Sequence, residues 1–184
     1  KAYGKSARPV RILDLCTGSG CIAWTVALNI PGAEVIGVDI SERAVAVAAG
    51  QDFISKPRET EVVAPRFVVA DILAEPQTFA EGDFDLILSN PPYIMESQKV
   101  QMRVNVLNFE PSTALFVRDE DSLEFYRSIA RLSSELLAPE GKGMTEINEL
   151  LGSQTAKVFS DAGFPKTEVV KDFYDKNRFV FYSK

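Results

Sequence analysis

Short apolar runs alternate with helix-like stretches along this chain, and that alternation narrows the fold to a parallel sheet covered by helices. Residues 11–17 (RILDLCT) form the first apolar run. Gly18 to Gly20 punctuate it, and Cys21–Asn29 follows as a helix stopped by Pro31-Gly32. Residues 34–40 read as the second strand, and Ser41 is placed to cap a helix running to about residue 55, before Pro57. Residues 66–70 read as a third strand. Residues 84–89 read as a fourth, running into Asn90-Pro91-Pro92-Tyr93. Residues 94–121 have no clear period and read as a long loop, of a length that is usually functional or disordered in a compact domain. Asp121 with Glu124 has the spacing of a capping box for a helix to about residue 138, stopped by Pro139. Residues 143–147 read as a fifth strand, and a helix over 149–162 ends at Gly163. Residues 167–171 and 178–182 close the chain as two strands joined by a turn, an antiparallel pair. The expected fold is α/β and doubly wound. Its seven-stranded sheet is mostly parallel with the last strand antiparallel, has helices on both faces, and opens ligand sites at the carboxyl ends of the central strands.

Composition restricts the chemistry further. The 184 residues make one domain, 46% hydrophobic and 25% charged, an ordinary balance for a globular chain. No apolar run approaches the roughly 20 residues of a membrane span. The opening Lys1-Ala2-Tyr3-Gly4-Lys5 does not read as a signal peptide, and without an initiator Met the chain is expected to be a piece of a longer one. The sequence has no histidine, which excludes a Ser-His-Asp triad, a Cys-His pair and a His-ligated zinc. The two cysteines, Cys16 and Cys21, cannot close a four-thiolate site, so no metal is expected. They read as free thiols in a reducing compartment, the cytoplasm. A net charge of −6, with basic residues scattered, weighs against a nucleic-acid partner.

Two constellations carry chemistry. In Asp14-Leu15-Cys16-Thr17-Gly18-Ser19-Gly20 a strand feeds a Gly-x-Gly turn that opens a helix. Glycines let a ligand approach the backbone, and the helix N–H groups face it. The signal is weak alone, because a dinucleotide-binding turn or a ligand-free tight turn fits it too. Asp39, at the end of the second strand, is placed to accept ribose hydroxyls; the bland alternative is a carboxylate stabilised at a helix N-terminus. Asp71, ending the third strand, fits an adenine amino group or a turn. The second constellation, Asn90-Pro91-Pro92-Tyr93, is far more specific. Two consecutive prolines fix two φ angles and remove two N–H donors, leaving carbonyls to face something else. Asn90 adds an acceptor and two donors, and Tyr93 a flat face and a hydroxyl. Together they suit a planar group bearing an NH₂; the bland alternative is a rigid strand terminator.

With DLCTGSG and NPPY in hand, the chain resembles the S-adenosylmethionine-dependent methyltransferases of planar nitrogen. More closely it resembles the protein-glutamine N5-methyltransferases acting on peptide chain release factors (the HemK/PrmC type). Glu110-Pro111, Ala114-Leu115, residues 122–126, Glu146-Ile147, Gln154, Gly163-Phe164, Asp172 and Arg178 support the likeness, which spans about residues 11–181. The resemblance implies a Rossmann-like class I catalytic domain over residues 1–184. It implies S-adenosylmethionine as cofactor, S-adenosylhomocysteine as product and a release factor as protein partner. Asp14, Gly18 and Gly20 would flank the methionine part of the cofactor, Asp39 hold the ribose and Asp71 the adenine. Cys16, Thr17, Ile40 and Ile72 complete that set, with Asn90 shared between cofactor and substrate. Asn90, Pro91, Pro92 and Tyr93 form the catalytic set: the Asn90 side chain and Pro91 carbonyl bind the amide NH₂ while Tyr93 covers its plane. Two departures stand out. Cys16 replaces a glycine of many members, and residues 1–184 are expected to lack the helical domain that precedes the catalytic one in the family.

A glutamine amide nitrogen is a poor nucleophile, its lone pair delocalised into the carbonyl. With no histidine, the expected mechanism is direct in-line transfer in which positioning replaces a general base. Alternatives are a methyltransferase of adenine N6 or guanine N2, one acting on a ribosomal-protein glutamine, a nicotinamide-dependent oxidoreductase, and a non-catalytic binding module.

Overall fold

A computed structural model describes residues 8–53, 62–74, 79, 81–101 and 115–184, and nine strands and four α-helices lie among these described residues. The strands are β1 (Arg11–Leu15), β2 (Glu34–Asp39), β3 (Arg66–Val69), β4 (Phe84–Ser89), β5 (Ile94–Met95), β6 (Phe116–Val117), β7 (Leu137–Glu146), β8 (Lys166–Lys171) and β9 (Asn177–Ser183). The helices are α1 (Cys21–Asn29), α2 (Glu42–Ala49), α3 (Glu124–Leu136) and α4 (Gly152–Asp161). Seven strands form one sheet in the order β3-β2-β1-β4-β7-β9-β8. Only β9 runs against the others, paired antiparallel with β7 on one side and β8 on the other. The fold expected from the sequence is the fold observed, and no helix among the described residues is long and apolar enough to cross a membrane.

The central strands are apolar on both faces because both faces are covered. Ile12 joins Ala23, Ala27 and Val35 beneath α1, while its neighbours Leu13 and Leu15 join the larger core with Ile87, Tyr126, Ile129 and Leu132. Trp24 of α1 donates its indole N–H to the Ala48 carbonyl of α2 and lies against Phe67, so these two helices share one face. On the other face α3 and α4 close over Phe159, Phe164 and Tyr182. The Tyr182 ring stacks on Phe159 with centroids 4.1 Å apart and meets Phe164 edge-on at 4.9 Å.

The boundaries depart from the sequence reading in instructive places. The helix expected to reach about residue 55 ends at Ala49, with Gly50 as its C-cap; glycine inside a helix costs roughly 1 kcal/mol, so the turn is released there. Residues 54 and 55 lie outside the described residues, as do Glu110, Pro111 and Ala114. The capping box at Asp121 does not form. That carboxylate accepts from the Arg127 guanidinium at 2.6 Å instead, and α3 starts without a side-chain cap. Helix α3 stops at Leu136, and β7 begins at Leu137 rather than at Gly143. Between Phe84–Leu137 and Leu86–Lys142 the register slips around Pro139, which has no N–H to give the ladder. The helix expected over 149–162 opens as a 3-10 turn, Glu149–Leu151, before α4. The long segment after β4 carries a two-residue parallel bridge, Ile94 with Phe116 and Met95 with Val117.

Gly143 faces Tyr182 across the β7–β9 ladder, and a Cβ there would run into the tyrosine ring. That ring cannot yield, because it is fully buried, stacked, and hydrogen-bonded to the Ser133 hydroxyl at 2.9 Å. Gly143→Ala is therefore expected to destabilise by about 3 kcal/mol or more, at the upper end of overpacking costs. Urea unfolding of the variant beside Ser134→Ala, an exposed control, measures it; equal midpoints would refute the packing account.

Candidate functional site

The carboxyl ends of β1 and β4 lie side by side. Leu15 pairs with Ser89, and the Ser89 hydroxyl donates to the Leu15 carbonyl at 2.8 Å. The chain leaving β1 (Cys16 to Gly20) and the chain leaving β4 (Asn90 to Tyr93) therefore issue from one edge of the sheet into one mouth.

The glycine turn is held from beneath. Thr17 donates its backbone N–H to the Val38 carbonyl at 2.9 Å and its hydroxyl to Asp14 Oδ2 at 2.5 Å. The same Asp14 oxygen accepts from the Ala23 N–H in the first turn of α1, at 3.1 Å. Gly18 and Gly20 sit at φ 56° and 82°, in the left-handed region that glycine occupies without strain. The space where a Gly18 Cβ would stand is empty, whereas one on Gly20 would press on Ala48 and Phe67. Cys16 also lies in the left-handed region, at φ 60°, with a side chain to accommodate; a non-glycine residue there costs on the order of 1–2 kcal/mol. The structure thus gives the glycine-to-cysteine departure a backbone consequence.

Four of the sequence-selected acids and amides reach the mouth with different bonds already made. Asp39 accepts from the Gly18 N–H at 2.8 Å through one oxygen and from the Ser41 N–H at 2.9 Å through the other. A carboxylate has roughly four acceptor positions, so two stay open among the described residues. Asp71 accepts from the Leu73 N–H at 2.9 Å, closing the turn after β3. Asp14 is fully buried, and its Oδ1 has no hydrogen-bond partner among the described residues. Asn90 is exposed, and no hydrogen bond ties up its side chain among those residues. Pro91 and Pro92 are buried beside it, and Tyr93 is half-buried against the larger core. Ile40 stands exposed at 61%, a free apolar surface at the end of β2. Ile72 is instead a core residue, with its carbonyl taken by the Ser128 hydroxyl.

The electrostatics at this end of the sheet are acidic. Burial drives the Cys16 thiol pKa far up, and the charges of Asp39, Asp14 and Asp71 drive it further. Burial raises the Asp14 carboxyl from 3.8 to about 7, against the lowering effect of its bonds from Thr17 and Ala23. A buried carboxylate with an orphan oxygen and an acidic surround fits an ammonium or sulfonium group. Tyr93 is pushed up to about 12, first by burial and then by its hydrogen bond to Glu146.

The sequence reading missed two residues here. Asn148, just past β7, donates through Nδ2 to the Tyr93 carbonyl at 2.9 Å and to Gln98 Oε1 at 2.8 Å. A buried asparagine after an apolar strand was the available signal; nothing in the sequence placed Gln98 beside it.

Residues 7–175 match a family described as a methyltransferase domain. Over 174 residues the chain is 41% identical to a release factor glutamine methyltransferase of Bacteroides thetaiotaomicron, covering 92% of this chain and 59% of that one. It is 38% identical over 175 residues to the protein of the same name from Flavobacterium psychrophilum, covering 95% and 59%. The chain thus spans under two thirds of the length of these curated relatives. Among solved structures, a methyltransferase from Pyrococcus furiosus superposes with a TM-score of 0.60 at 17% identity, over 96% of this chain and 77% of that one, a likeness of fold.

The raised Asp14 carboxyl makes a pH prediction. Folded, it keeps its proton up to about pH 7; unfolded, it loses it near 3.8. The unfolded state then binds fewer protons across that window, so stability falls as pH rises and levels off above 7, with a limiting slope of about 1.4 kcal/mol per pH unit. With no histidine in the chain, little else titrates between pH 5 and 7. Urea unfolding of the ligand-free protein should lose about 2 kcal/mol over those two units, and Asp14→Asn should flatten the profile. A wild-type profile already flat would contradict the assignment.

Proposed function

The chain belongs to the methyltransferase domain family, and from that membership we propose that it methylates the side-chain amide nitrogen of a glutamine in a peptide chain release factor. The observation that carries the reading is the shared mouth. An acidic glycine turn suited to a sulfonium cofactor and an Asn-Pro-Pro-Tyr turn suited to a planar NH₂ group leave adjacent, hydrogen-bonded strand ends. The names of the two relatives support the choice of glutamine over a nucleobase.

S-adenosylmethionine, once bound, supplies a methyl group on positively charged sulfur. The residues of this chain do the rest. The open oxygen of Asp14 takes the α-ammonium of the cofactor, Asp39 takes the ribose hydroxyls through its free acceptor positions, and Asp71 faces the adenine. Gly18, with open space above it, lets the methionine portion lie on the backbone. On the other side the Asn90 side-chain carbonyl and the Pro91 backbone carbonyl accept the two amide hydrogens of the substrate glutamine, and the Tyr93 ring covers the amide plane. Those two acceptors hold the nitrogen with its π-face toward the cofactor. Their bonds strengthen as positive charge grows on that nitrogen in the transition state. Fixing both partners replaces a general base as the source of rate, since well-oriented reactants gain roughly 7–11 kcal/mol over a bimolecular encounter. The surplus proton leaves to water.

Incubation with methyl-labelled S-adenosylmethionine and purified release factor, followed by peptide mapping, tests the assignment. One methyl on a glutamine side chain is expected. Label in a ribosomal protein or in nucleic acid would overturn it. The division of labour is read by two variants. Asn90→Ala should lose at least ~100-fold in single-turnover rate, the scale of removing one transition-state contact, with cofactor affinity unchanged by calorimetry. Asp39→Ala should instead weaken cofactor binding by about tenfold or more, the scale of a hydrogen bond to a charged group. Equal losses of affinity in both would contradict the assigned roles.

A further inference from the structure

Tyr93 is gripped at both ends by the chain leaving β7. Its hydroxyl donates to Glu146 Oε1 at 2.8 Å, and its carbonyl accepts from Asn148 Nδ2 at 2.9 Å. Glu146 is steadied in turn. Arg178 Nη1 lies 3.7 Å from the same carboxylate oxygen, and Arg178 is fixed by two hydrogen bonds to Asp172 Oδ2, from Nε at 3.2 Å and Nη2 at 3.0 Å. Asp172 is locked by the backbone N–H groups of Tyr174 and Lys176 in the β8–β9 turn. A continuous polar chain therefore runs from the outermost hairpin of the sheet to the last residue of the Asn-Pro-Pro-Tyr turn.

Packing alone does not set the ring of a half-buried tyrosine, because rotation about its Cβ–Cγ bond is broad. The anchored hydroxyl fixes the long axis of the ring. Since a phenolic O–H lies in the ring plane, a fixed acceptor also favours one plane. The donation has a second consequence: the Tyr93 proton is spent on Glu146, so Tyr93 offers a substrate its face and not a hydrogen bond from its hydroxyl. Glu146 and Arg178 sit partly exposed, with side chains 24% and 30% accessible, so the bond between them fills no hole in the core.

We propose that Glu146, steadied by Arg178, is a positioning residue that sets the ring plane of Tyr93 against which the substrate amide lies; this rests on the glutamine-directed reading above. Glu146 touches no reacting atom and acts through Tyr93. Removing its carboxylate leaves the tyrosine ring in place but free to turn. The amide then loses its stop while the cofactor side of the mouth is untouched.

Four variants of the full chain test the proposal: Glu146→Ala, Glu146→Gln, Tyr93→Phe and the double variant Tyr93→Phe/Glu146→Ala. Glu146→Ala should lose about tenfold in kcat at saturating substrate, the scale of one hydrogen bond to a charged group, with unchanged affinity for S-adenosylmethionine. Glu146→Gln, whose side-chain carbonyl still accepts, should recover most of that loss, which a merely structural role would not predict. Tyr93→Phe should match Glu146→Ala, and the double variant should be no worse than either, because all three remove one hydrogen bond. Additive losses, a Glu146→Gln as poor as Glu146→Ala, or a fall in cofactor affinity would overturn the proposal. The ring signals of Tyr93 in tyrosine-labelled protein give a readout that needs no substrate. They should shift in Glu146→Ala and stay in Glu146→Gln; unchanged signals in both would overturn the clamp. Inactivity of the wild type toward release factor overturns the glutamine reading instead, and leaves the clamp to be judged on the tyrosine spectrum.

Discussion

The parallel pairing of β1 with β4 is the constraint on which the rest depends. Their register sets Leu15 opposite Ser89, and the buried Ser89 hydroxyl ties the two strand ends together through the Leu15 carbonyl. Strands adjacent in the sheet but 74 positions apart in this register deliver two unrelated loops to one opening. One loop is made of glycines and acids, the other of an amide, two prolines and a ring. Neither alone defines a reaction. The first has the backbone to cradle a ligand and the second, in the function proposed above, takes a flat polar group; their adjacency is what would let one bound molecule meet the other. The strand order that enforces this follows from right-handed crossovers packing α1 and α2 on one face and α3 and α4 on the other.

The carboxyl ends of β1, β2 and β3 gather carboxyl side chains. Asp14, Asp39 and Asp71 come from the ends of these three neighbouring strands, and the buried Asp14 keeps one oxygen without a hydrogen-bond partner among the described residues. Such an oxygen is costly in a resting protein and becomes favourable only when a donor or cation arrives. The stability given up at Asp14 is thus available as binding energy. The opposite wall is held by neutral and ionic bonds already complete: Tyr93 to Glu146, Asn148 to the Tyr93 carbonyl, and Arg178 to Asp172. One wall holds an unpartnered carboxyl oxygen among the described residues and the other is pre-set, a division that suits the proposed reaction, which depends on placement.

Much of this was legible in the residues. Strand periodicity and the Gly, Pro and Ser41 signals located β1, β2, β4, α1 and the closing hairpin because these elements follow local chemistry. The misses have tertiary causes. Asp121 has the spacing of a cap, but Arg127 lies within its reach and wins it. Residues 137–142 carry a proline and a glycine and do not read as a strand; they become one because β4 on one side supplies a ladder. In the site, the turns themselves were readable because glycines and prolines act through the backbone. Asn148, Gln98 and the Glu146 contact behind Tyr93 were not, since their partners lie about 50 positions away in sequence. Glu146 was visible as a residue without a task until its contact with Tyr93 assigned one.

A crystal structure of the protein with S-adenosylhomocysteine and a glutamine-bearing release-factor peptide tests the shared mouth most directly. The account predicts the cofactor sulfur over Gly18, the peptide amide bonded to the Asn90 and Pro91 carbonyls, and its nitrogen facing that sulfur with nothing between. A peptide amide bound elsewhere, or a cofactor seated away from residues 14–20, would contradict it.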